Sequence, residues 1–152
     1  MRVDWIDARY LDDAAKLLLL LHPSYSIEGL TSQLEMQQLS RQYKLIGVFK
    51  EDELVGVAGF VEGLTFAWGR NLLIEDFVIA PPWRYTGMAE QLIAWLRHYG
   101  LQLGCKEIHV NSGVQDFFVH KFYLQEGFRI SSHHFSLQLQ ADAAAHVARS
   151  NS

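Results

Sequence analysis

The sequence predicts a mixed α+β fold, in which about four helices flank a central, twisted and mostly antiparallel sheet of about six to seven strands. Two strand-like segments, Lys44–Phe49 and Leu54–Val61, are separated only by a short acidic turn and therefore predict an antiparallel hairpin. Residues His133–Gln140 alternate apolar and polar side chains, which is typical of a half-buried antiparallel strand. Helical periodicities between these segments indicate that strands and helices share the fold.

The N-terminal third supplies a short strand and two helices. Val3–Ile6 is the first predicted strand, and Asp12 or Asp13 can cap a helix that runs through the leucine-rich segment to about His22. The segment His22-Pro23-Ser24-Tyr25-Ser26 interrupts it, and a second helix is predicted from Ile27 to about Gln42. After the hairpin, residues 62–71 are expected to form a loop.

The middle of the chain reads as strand, tight loop and helix. An apolar run from Leu72 to Ile79 has the length of a strand and ends at Pro81-Pro82, because proline cannot donate to a β-ladder. Beyond the loop, apolar residues recur on one helical face that is expected to close at Gly100. This face is formed by Met88, Leu92, Trp95, Leu96 and Tyr99.

The C-terminal third is expected to add a strand, a helix and two further strands. Lys106–Asn111 is the predicted strand, and the helix after it ends with Gly127 in the C-cap position. A strand is expected to start at Phe128, and His133–Gln140 is the last one. Residues 1–140 are therefore interpreted as one domain and residues 141–152 as a frayed, flexible tail.

Length and composition limit the class of protein. A chain of 152 residues is long enough for one core and too short for two independent domains. A net charge of −4 without clustered Lys and Arg argues against a nucleic-acid binder. No apolar run is long enough to cross a bilayer, and no secretory signal is recognisable, so a cytoplasmic location without membrane partners is expected. The single Cys105 has no Cys or His pair at zinc spacing, so no metal is expected.

The loop before the third predicted helix has the residue types of a phosphate cradle. Free N–H groups and the positive end of a helix dipole favour an anion at such a turn. Gly87 and Ala89 are small enough to let a diphosphate approach the main chain, and Arg84 and Thr86 can add charge and a hydrogen bond. An ordinary strand-to-helix turn with a left-handed glycine explains the same residues, so this segment alone leaves both interpretations open.

Two motifs together resemble the GNAT superfamily of N-acetyltransferases, which use acetyl-CoA. Arg84, Gly87 and Ala89 match the family's loop pattern of Arg or Gln, two residues, Gly, one residue, Gly or Ala. The segment Phe122–Phe128 matches its closing pattern of Phe-Tyr, three residues, Gly-Phe. The resemblance covers roughly Lys44 to Leu139 and implies a GNAT-like fold with acetyl-CoA as co-substrate.

The resemblance also implies roles for particular residues. The main chain of Phe77, Val78 and Ile79 is expected to contact the pantetheine arm and the thioester oxygen. The pyrophosphate would lie against the amides of Tyr85, Thr86, Gly87, Met88, Ala89 and Glu90. Tyr123 matches the general acid that protonates the departing thiolate, although a core aromatic at this position is the structural alternative. Two departures are Tyr85, where the family usually has glycine, and Asp116, where an asparagine often helps to hold the cofactor.

Three residues compete for the role of general base. Adjacent strand residues face opposite sides of a sheet, so Glu75 and Asp76 are expected not to share one role. Glu75 has the parity of Phe77 and Ile79 and is the first candidate, with Asp76 left to bind the positive charge of the acceptor or to cap a backbone group. His109, in the middle of its strand, is the second candidate, and both acids could instead be structural groups at a bulge.

The resulting hypothesis is an N-acetyltransferase that moves an acetyl group from acetyl-CoA to a primary amine of a small molecule by direct attack. A peptide or protein N-terminus is the alternative acceptor. A CoA-binding sensor or interaction domain without turnover is the alternative class, favoured by Tyr85 and Asp116. A homodimer through a sheet edge or Trp68 is compatible with the sequence, which does not identify the acceptor.

Overall fold

The computed structural model describes residues 1–140, and the predicted tail, residues 141–152, lies outside this range. The strands are β1 (Arg2–Trp5), β2 (Lys44–Lys50), β3 (Glu53–Thr65), β4 (Gly69–Ile79) and β5 (Glu107–Val110). The helices are α1 (Leu11–Leu21), α2 (Ile27–Ser40), α3 (Met88–Leu103) and α4 (Phe117–Gln125), with short 3₁₀ turns at Ala8–Tyr10 and Pro81–Trp83. The mixed α+β class is confirmed.

The sheet has the order β1-β2-β3-β4-β5, with β1 to β4 antiparallel and β5 parallel to β4. Pairing between β4 and β5 is confined to four residues of each strand, from Asn71 opposite Glu107 to Ile74 opposite Val110. β4 continues to Ile79 while still paired to β3 on its other side. The β5 side of β4 is therefore open over its last five residues, Glu75 to Ile79.

Each face of the sheet is covered by helices. α3 packs on one face, where Phe60, Leu72, Ile74 and Leu92 are fully buried. α1 and α2 cover the other face with a second core, which is formed by Ala14, Ala15, Leu18, Leu30, Leu34, Leu45, Phe49 and Val57 among others. No helix in residues 1–140 has both the length and the apolar character needed to span a membrane.

The prediction of six to seven strands is wrong for the described residues, because the chain after α4 adds none. Residues 128–138 have no regular structure and residues 139–140 form a turn. Alternation indicates a strand only where one face is buried. Here Phe135, Leu137 and Leu139 are 90%, 75% and 90% exposed, so their alternating pattern has no core to face.

Two element boundaries also differ from the prediction. Most of the expected loop 62–71 belongs to β3 and β4, which meet in a short turn at Phe66–Trp68. The expected end of the third helix at Gly100 is wrong, since α3 continues to Leu103 and stops at Gly104, whose φ is +77°. Gly100 is instead a buried helical residue against Leu72, where its lack of a side chain permits close packing.

Packing of α3 on the sheet predicts a stability difference between two of its leucines. Leu92 is fully buried, and Leu92→Ala is expected to lower the free energy of unfolding by about 2–5 kcal/mol through lost burial and the cavity left behind. Leu101→Ala is the matched control, because Leu101 is 73% exposed on the same helix. Denaturant unfolding checks this prediction, which equal losses for the two variants would contradict.

Candidate active site

The turn before α3 presents main-chain N–H groups at the start of a helix. α3 begins at Met88 with Gly87 as its N-cap residue, and no side chain caps the helix. The first amides of an α-helix have no partner within the helix and carry partial positive charge. The amides of residues 88–90 therefore lie at the helix terminus, where they can donate to an anion.

The two residues that shape this turn have left-handed backbones. Gly87 has a φ of +90°, and a Cβ built on it would meet no atom within 4 Å. Tyr85 has a φ of +63°, an unfavourable conformation for a bulky residue. The residue is 92% exposed, so the Tyr85 side chain lies in solvent and does not fill the turn.

The polar side chains of the turn brace the loop. The Arg84 Nε donates to the Ile79 carbonyl at 3.2 Å, which ties the loop to the end of β4. The Thr86 hydroxyl donates to the Trp83 carbonyl. Arg84 thus stays beside the turn, whereas the Thr86 hydroxyl is already used within it.

The open edge of β4 lies next to this turn. Phe77 and Ile79 pack with the α3-side core, while Val78 belongs to the opposite core. Because β5 stops pairing at Val110, residues 75–79 have no strand partner on the β5 side of β4. This unpaired edge of β4 and the space beside it, called the β4–β5 wedge below, begin next to the α3 turn.

Tyr123 lies on α4 at the α3-side rim of the wedge. Its ring packs edge-on against Phe77, with centroids 6.2 Å apart, and against Phe128 at 5.3 Å. The residue is 6% exposed, and burial, with a smaller contribution from the Asp116 carboxylate, raises the pKa of Tyr123 well above its ordinary value. The phenol is therefore held protonated. Asp116 is the residue before α4, and its side chain does not cap that helix.

A β-bulge changes the expected orientation of the two acids on β4. Gly59 pairs with Asp76 and Phe60 pairs with Ile74, so Glu75 is the extra residue. The expectation that Glu75 and Asp76 face opposite sides, with Glu75 sharing the parity of Phe77, is wrong. The bulge shifts the alternation by one residue, and both acids line one pocket on the α1/α2 side.

This pocket, called the acid pocket below, has a volume of about 270 Å³. Its polar lining includes His22, Arg41, Tyr43, Glu75 and Asp76, and α1 and α2 supply its apolar wall. A larger cleft of about 410 Å³ is lined by residues of the β3–β4 turn and the start of β5. That cleft is at the far end of β4 from the α3 turn, so it is remote from a ligand bound there.

Asp76 is held by two neighbours in the acid pocket. The Tyr43 hydroxyl donates to Asp76 Oδ2 at 2.8 Å, and His22 Nε2 donates to Oδ1 at 2.6 Å. Tyr43 reaches Asp76 only because Gly59 has no side chain, since a Cβ there would lie 1.6 Å from the Tyr43 hydroxyl oxygen. Burial and the Asp76 carboxylate raise the pKa of Tyr43, which keeps this phenol a donor.

Glu75 is held by a different partner. Arg41 donates from Nη1 to Oε1 at 3.0 Å and from Nη2 to Oε2 at 2.7 Å, a bidentate ion pair. The interaction with Glu75 raises the pKa of Arg41 above its already high ordinary value, so the guanidinium stays charged. The Arg41 and Glu75 side chains are 47% and 26% exposed, which leaves the pair accessible from solvent.

His109 is not among the residues that line the acid pocket. Its ring stacks on the Trp68 indole with centroids 3.5 Å apart, and its Nε2 lies 3.0 Å from Glu107 Oε1. His109 pairs opposite Leu73, before the point at which the strands separate. The structure thus brings Glu75 and Asp76 together in one pocket and leaves His109 outside it, packed on Trp68 within the paired part of the sheet.

Sequence reasoning did not identify His22, Arg41 or Tyr43 as site residues. Each reaches β4 across a long sequence separation, 54 residues for His22 and 34 for Arg41. The break at His22-Pro23 and the end of α2 were recognisable, but no short motif connects them to β4. Within residues 1–140, no group of three or more His, Cys, Asp or Glu side chains has the arrangement of a metal site.

Comparison with known proteins defines the class. Residues 11–128 match the Acetyltransferase (GNAT) family, a range that includes the α3 turn, the wedge, the acid pocket and Tyr123. This match covers most of the chain. The protein belongs to the GNAT acetyltransferase family.

One relative is an aminoalkylphosphonate N-acetyltransferase from Salmonella typhimurium, 30% identical over 66 residues. The match spans 43% of this chain and 43% of the relative, so it leaves more than half of each uncompared. Among solved structures, the aminoglycoside N-acetyltransferase AAC(6')-Iy in complex with CoA aligns with a TM-score of 0.80 and 16% identity, covering 92% of this chain and 95% of that one. A transcriptional regulator from Bacillus halodurans aligns with a TM-score of 0.78 and 19% identity, covering 91% and 99%. At such identities the structural matches establish the fold.

Proposed function

We propose that this protein is an acetyl-CoA-dependent N-acetyltransferase that acetylates a primary amine of a small molecule. The supporting observation is the succession of three features along one strand end: the α3 turn, the β4–β5 wedge and the acid pocket. Family membership supports the use of acetyl-CoA, and the CoA complex of a protein with the same fold agrees with it. The named substrate of the curated relative is also a small molecule that carries an amine.

The α3 turn is suited to hold the diphosphate of CoA. The amides of residues 85–90 would donate to its oxygens, and the dipole of α3 favours the negative charge there. Arg84, braced on Ile79, lies where a guanidinium adds to this attraction. The pantetheine arm would then follow the open edge of β4, where main-chain groups of Phe77, Val78 and Ile79 can bind the arm and the thioester oxygen.

The chemistry needs an acid on the sulfur side and a base on the amine side. We assign these roles to Tyr123 and Glu75, because the former borders the wedge and the latter lines the acid pocket. Glu75 takes a proton from the ammonium, and the neutral amine attacks the thioester carbonyl carbon. The C–S bond then breaks with its electron pair on sulfur, which Tyr123 protonates. The second proton that the nitrogen loses restores the Tyr123 hydroxyl and Glu75 releases the first to solvent, so that, on balance, one proton is added to the CoA sulfur and one to solvent.

The size and charge of the acid pocket favour a small cationic acceptor. A cavity of about 270 Å³ holds a compact molecule, and two carboxylates in its wall attract an ammonium group. Asp76 supports this attraction, although both of its oxygens already accept hydrogen bonds. His109, stacked under Trp68, is the less suitable base because it does not line this cavity.

Release of free thiol from acetyl-CoA, measured over a panel of small amines and short peptides, tests this proposal. Turnover with at least one small amine is expected. Turnover confined to peptides would favour the alternative acceptor. Tight CoA binding in calorimetry without thiol release on any acceptor would favour a sensor or interaction domain.

The backbone of the α3 turn predicts an effect of Gly87→Ala on CoA binding. Gly87 has a φ of +90° and open space where a Cβ would lie, so an alanine there strains the turn proposed to hold the diphosphate and fills space beside it, and CoA affinity is expected to fall by about tenfold or more. Gly104→Ala is the matched control, since Gly104 also has a positive φ and open space around it, at the other end of α3. Both variants should lose stability by about 1–3 kcal/mol from backbone strain. Calorimetry that finds CoA affinity equally affected in the two variants would contradict the cradle.

A further inference from the structure

We infer that the amine acceptor also carries an anionic group. This anion binds the guanidinium of Arg41 in place of Glu75, and Glu75 is then free to act as base. The inference rests on the proposed function and specifies its substrate class. The anion would be a carboxylate, phosphonate or phosphate, which share the charge and the paired oxygens that a guanidinium binds.

Glu75, the proposed base, is already engaged in an ion pair. Both oxygens of Glu75 accept from Arg41, at 3.0 and 2.7 Å. A carboxylate engaged in this way is poorly placed to accept a proton from an amine. Catalysis by Glu75 therefore requires that the ion pair open. When it opens, another anion must balance the positive charge of the guanidinium.

Arg41 is positioned to accept such a replacement. It directly follows α2, and its Nη1 also donates to Gln37 Oε1 at 2.9 Å, one helical turn earlier. Gln37 thus anchors the guanidinium independently of Glu75. Nearly half of the Arg41 side chain is exposed, and it lines the acid pocket together with Glu75. An anion can therefore reach the guanidinium without unfolding any element.

The energetic balance permits the exchange. A partly exposed ion pair is weak, because solvent screens the two charges. An incoming anion preserves the bidentate geometry on Arg41, so the guanidinium does not lose its partner. The ammonium of the same molecule then faces the freed Glu75 and the nearby Asp76. In this way one ligand satisfies charges of both signs in the acid pocket.

The other charged contact of the pocket has a different character. Asp76 is held by Tyr43 from a buried position and by His22, so its oxygens are fixed from two sides. The Tyr43 phenol is anchored against Gly59 and cannot follow a ligand outward. Glu75, on a bulge and held by a single flexible side chain, is the acid that an incoming ligand can release.

Three acceptors of matched length test the inference. 3-Aminopropylphosphonate carries an anion, 3-amino-1-propanol carries none, and 1,3-diaminopropane carries a second cation. For the wild-type protein, kcat/KM is expected to be about tenfold or more higher for the phosphonate than for the alcohol. Arg41→Gln should bring the ratio of these two kcat/KM values down to about one, with kcat/KM for the alcohol rising above its wild-type value, because Glu75 is then free without an anion. Arg9→Gln, at an exposed arginine outside the acid pocket, should change neither value.

The outcomes separate the inference from the proposed function. Equal losses on all acceptors in Arg41→Gln would show a structural role for Arg41 and overturn the inference, as would a wild-type preference for the diamine or the alcohol. If no amine is acetylated by the wild-type protein, the proposed function fails. Binding of propylphosphonate, which has no amine, then still tests Arg41: calorimetry should detect it in wild type and not in Arg41→Gln, and equal results in both proteins would overturn the inference.

Discussion

Replacing Tyr123 by phenylalanine is expected to lower kcat by about 10²- to 10⁴-fold, the usual contribution of a general acid. The substitution removes one hydroxyl and keeps the ring that packs against Phe77 and Phe128. CoA affinity and thermal stability are therefore expected to stay near wild-type values. Thiol-release kinetics, calorimetry with CoA and thermal unfolding measure the three quantities on the same preparation.

The pH profile adds a second criterion for Tyr123. Burial raises the pKa of this phenol above its ordinary value of about 10, so the acid stays protonated as the pH rises through that value. Wild-type activity should not fall on the alkaline side through loss of this proton below about pH 10. Tyr99 is the matched control: burial and a hydrogen bond to Glu62 raise the pKa of Tyr99 to about 12, yet it lies outside the wedge. Unchanged kcat in Tyr123→Phe, or an equal loss in Tyr99→Phe, would remove Tyr123 from the mechanism.

Glu75→Gln is expected to lower kcat/KM for the acceptor by about 10²- to 10⁴-fold. Glutamine keeps the shape of the side chain and can still accept from Arg41, but it cannot take a proton from an ammonium. The variant should therefore lose activity without losing the fold. Initial rates with the acceptor, together with thermal unfolding of the same preparation, measure both effects.

Two further variants distinguish the base from its neighbours. Asp76→Asn disturbs the contacts of His22 and Tyr43 and should act mainly on stability and KM. His109→Gln should change kcat/KM less than Glu75→Gln, because His109 lies outside the acid pocket. A larger loss of kcat/KM in His109→Gln than in Glu75→Gln would transfer the role of base to His109.

The parts of the fold that local signals specify were predictable. Pro81-Pro82 ends β4 as expected, because proline has no N–H for the ladder. The pattern around Gly87 predicted a helix N-terminus, which is present, and the left-handed glycine that the alternative interpretation required is present as well. Where the local signal was ambiguous, the predicted boundary was wrong. A glycine after an apolar helical face, such as Gly100, fits a C-cap, but it fits equally well as a small residue buried within the helix.

The parts that depend on tertiary context were not predictable. A strand register reads as strict alternation until a bulge inserts a residue, and the sequence offered a bulge at Glu75 and Asp76 only as an alternative, without identifying Glu75 as the inserted residue. This single inserted residue sets the orientation of both acids. Arg41 and His22 reach the site through the packing of α1 and α2 on the sheet, at sequence separations that no motif covers. Residues 133–140, after α4, show the opposite case. Their apolar and polar side chains alternate as in a strand, but no surface within the described residues covers the apolar side chains.

The binding of CoA at the α3 turn is the claim on which the proposed chemistry depends. Backbone amide chemical shifts of an isotopically labelled protein, followed during titration with CoA and separately with pantetheine, test it directly. CoA is expected to shift the amides of residues 85–90, and pantetheine, which lacks the diphosphate, should leave them unchanged while affecting residues 77–79. If CoA leaves the amides of residues 85–90 unperturbed, or if pantetheine shifts them equally, the diphosphate is not bound at this turn and the proposed chemistry is contradicted.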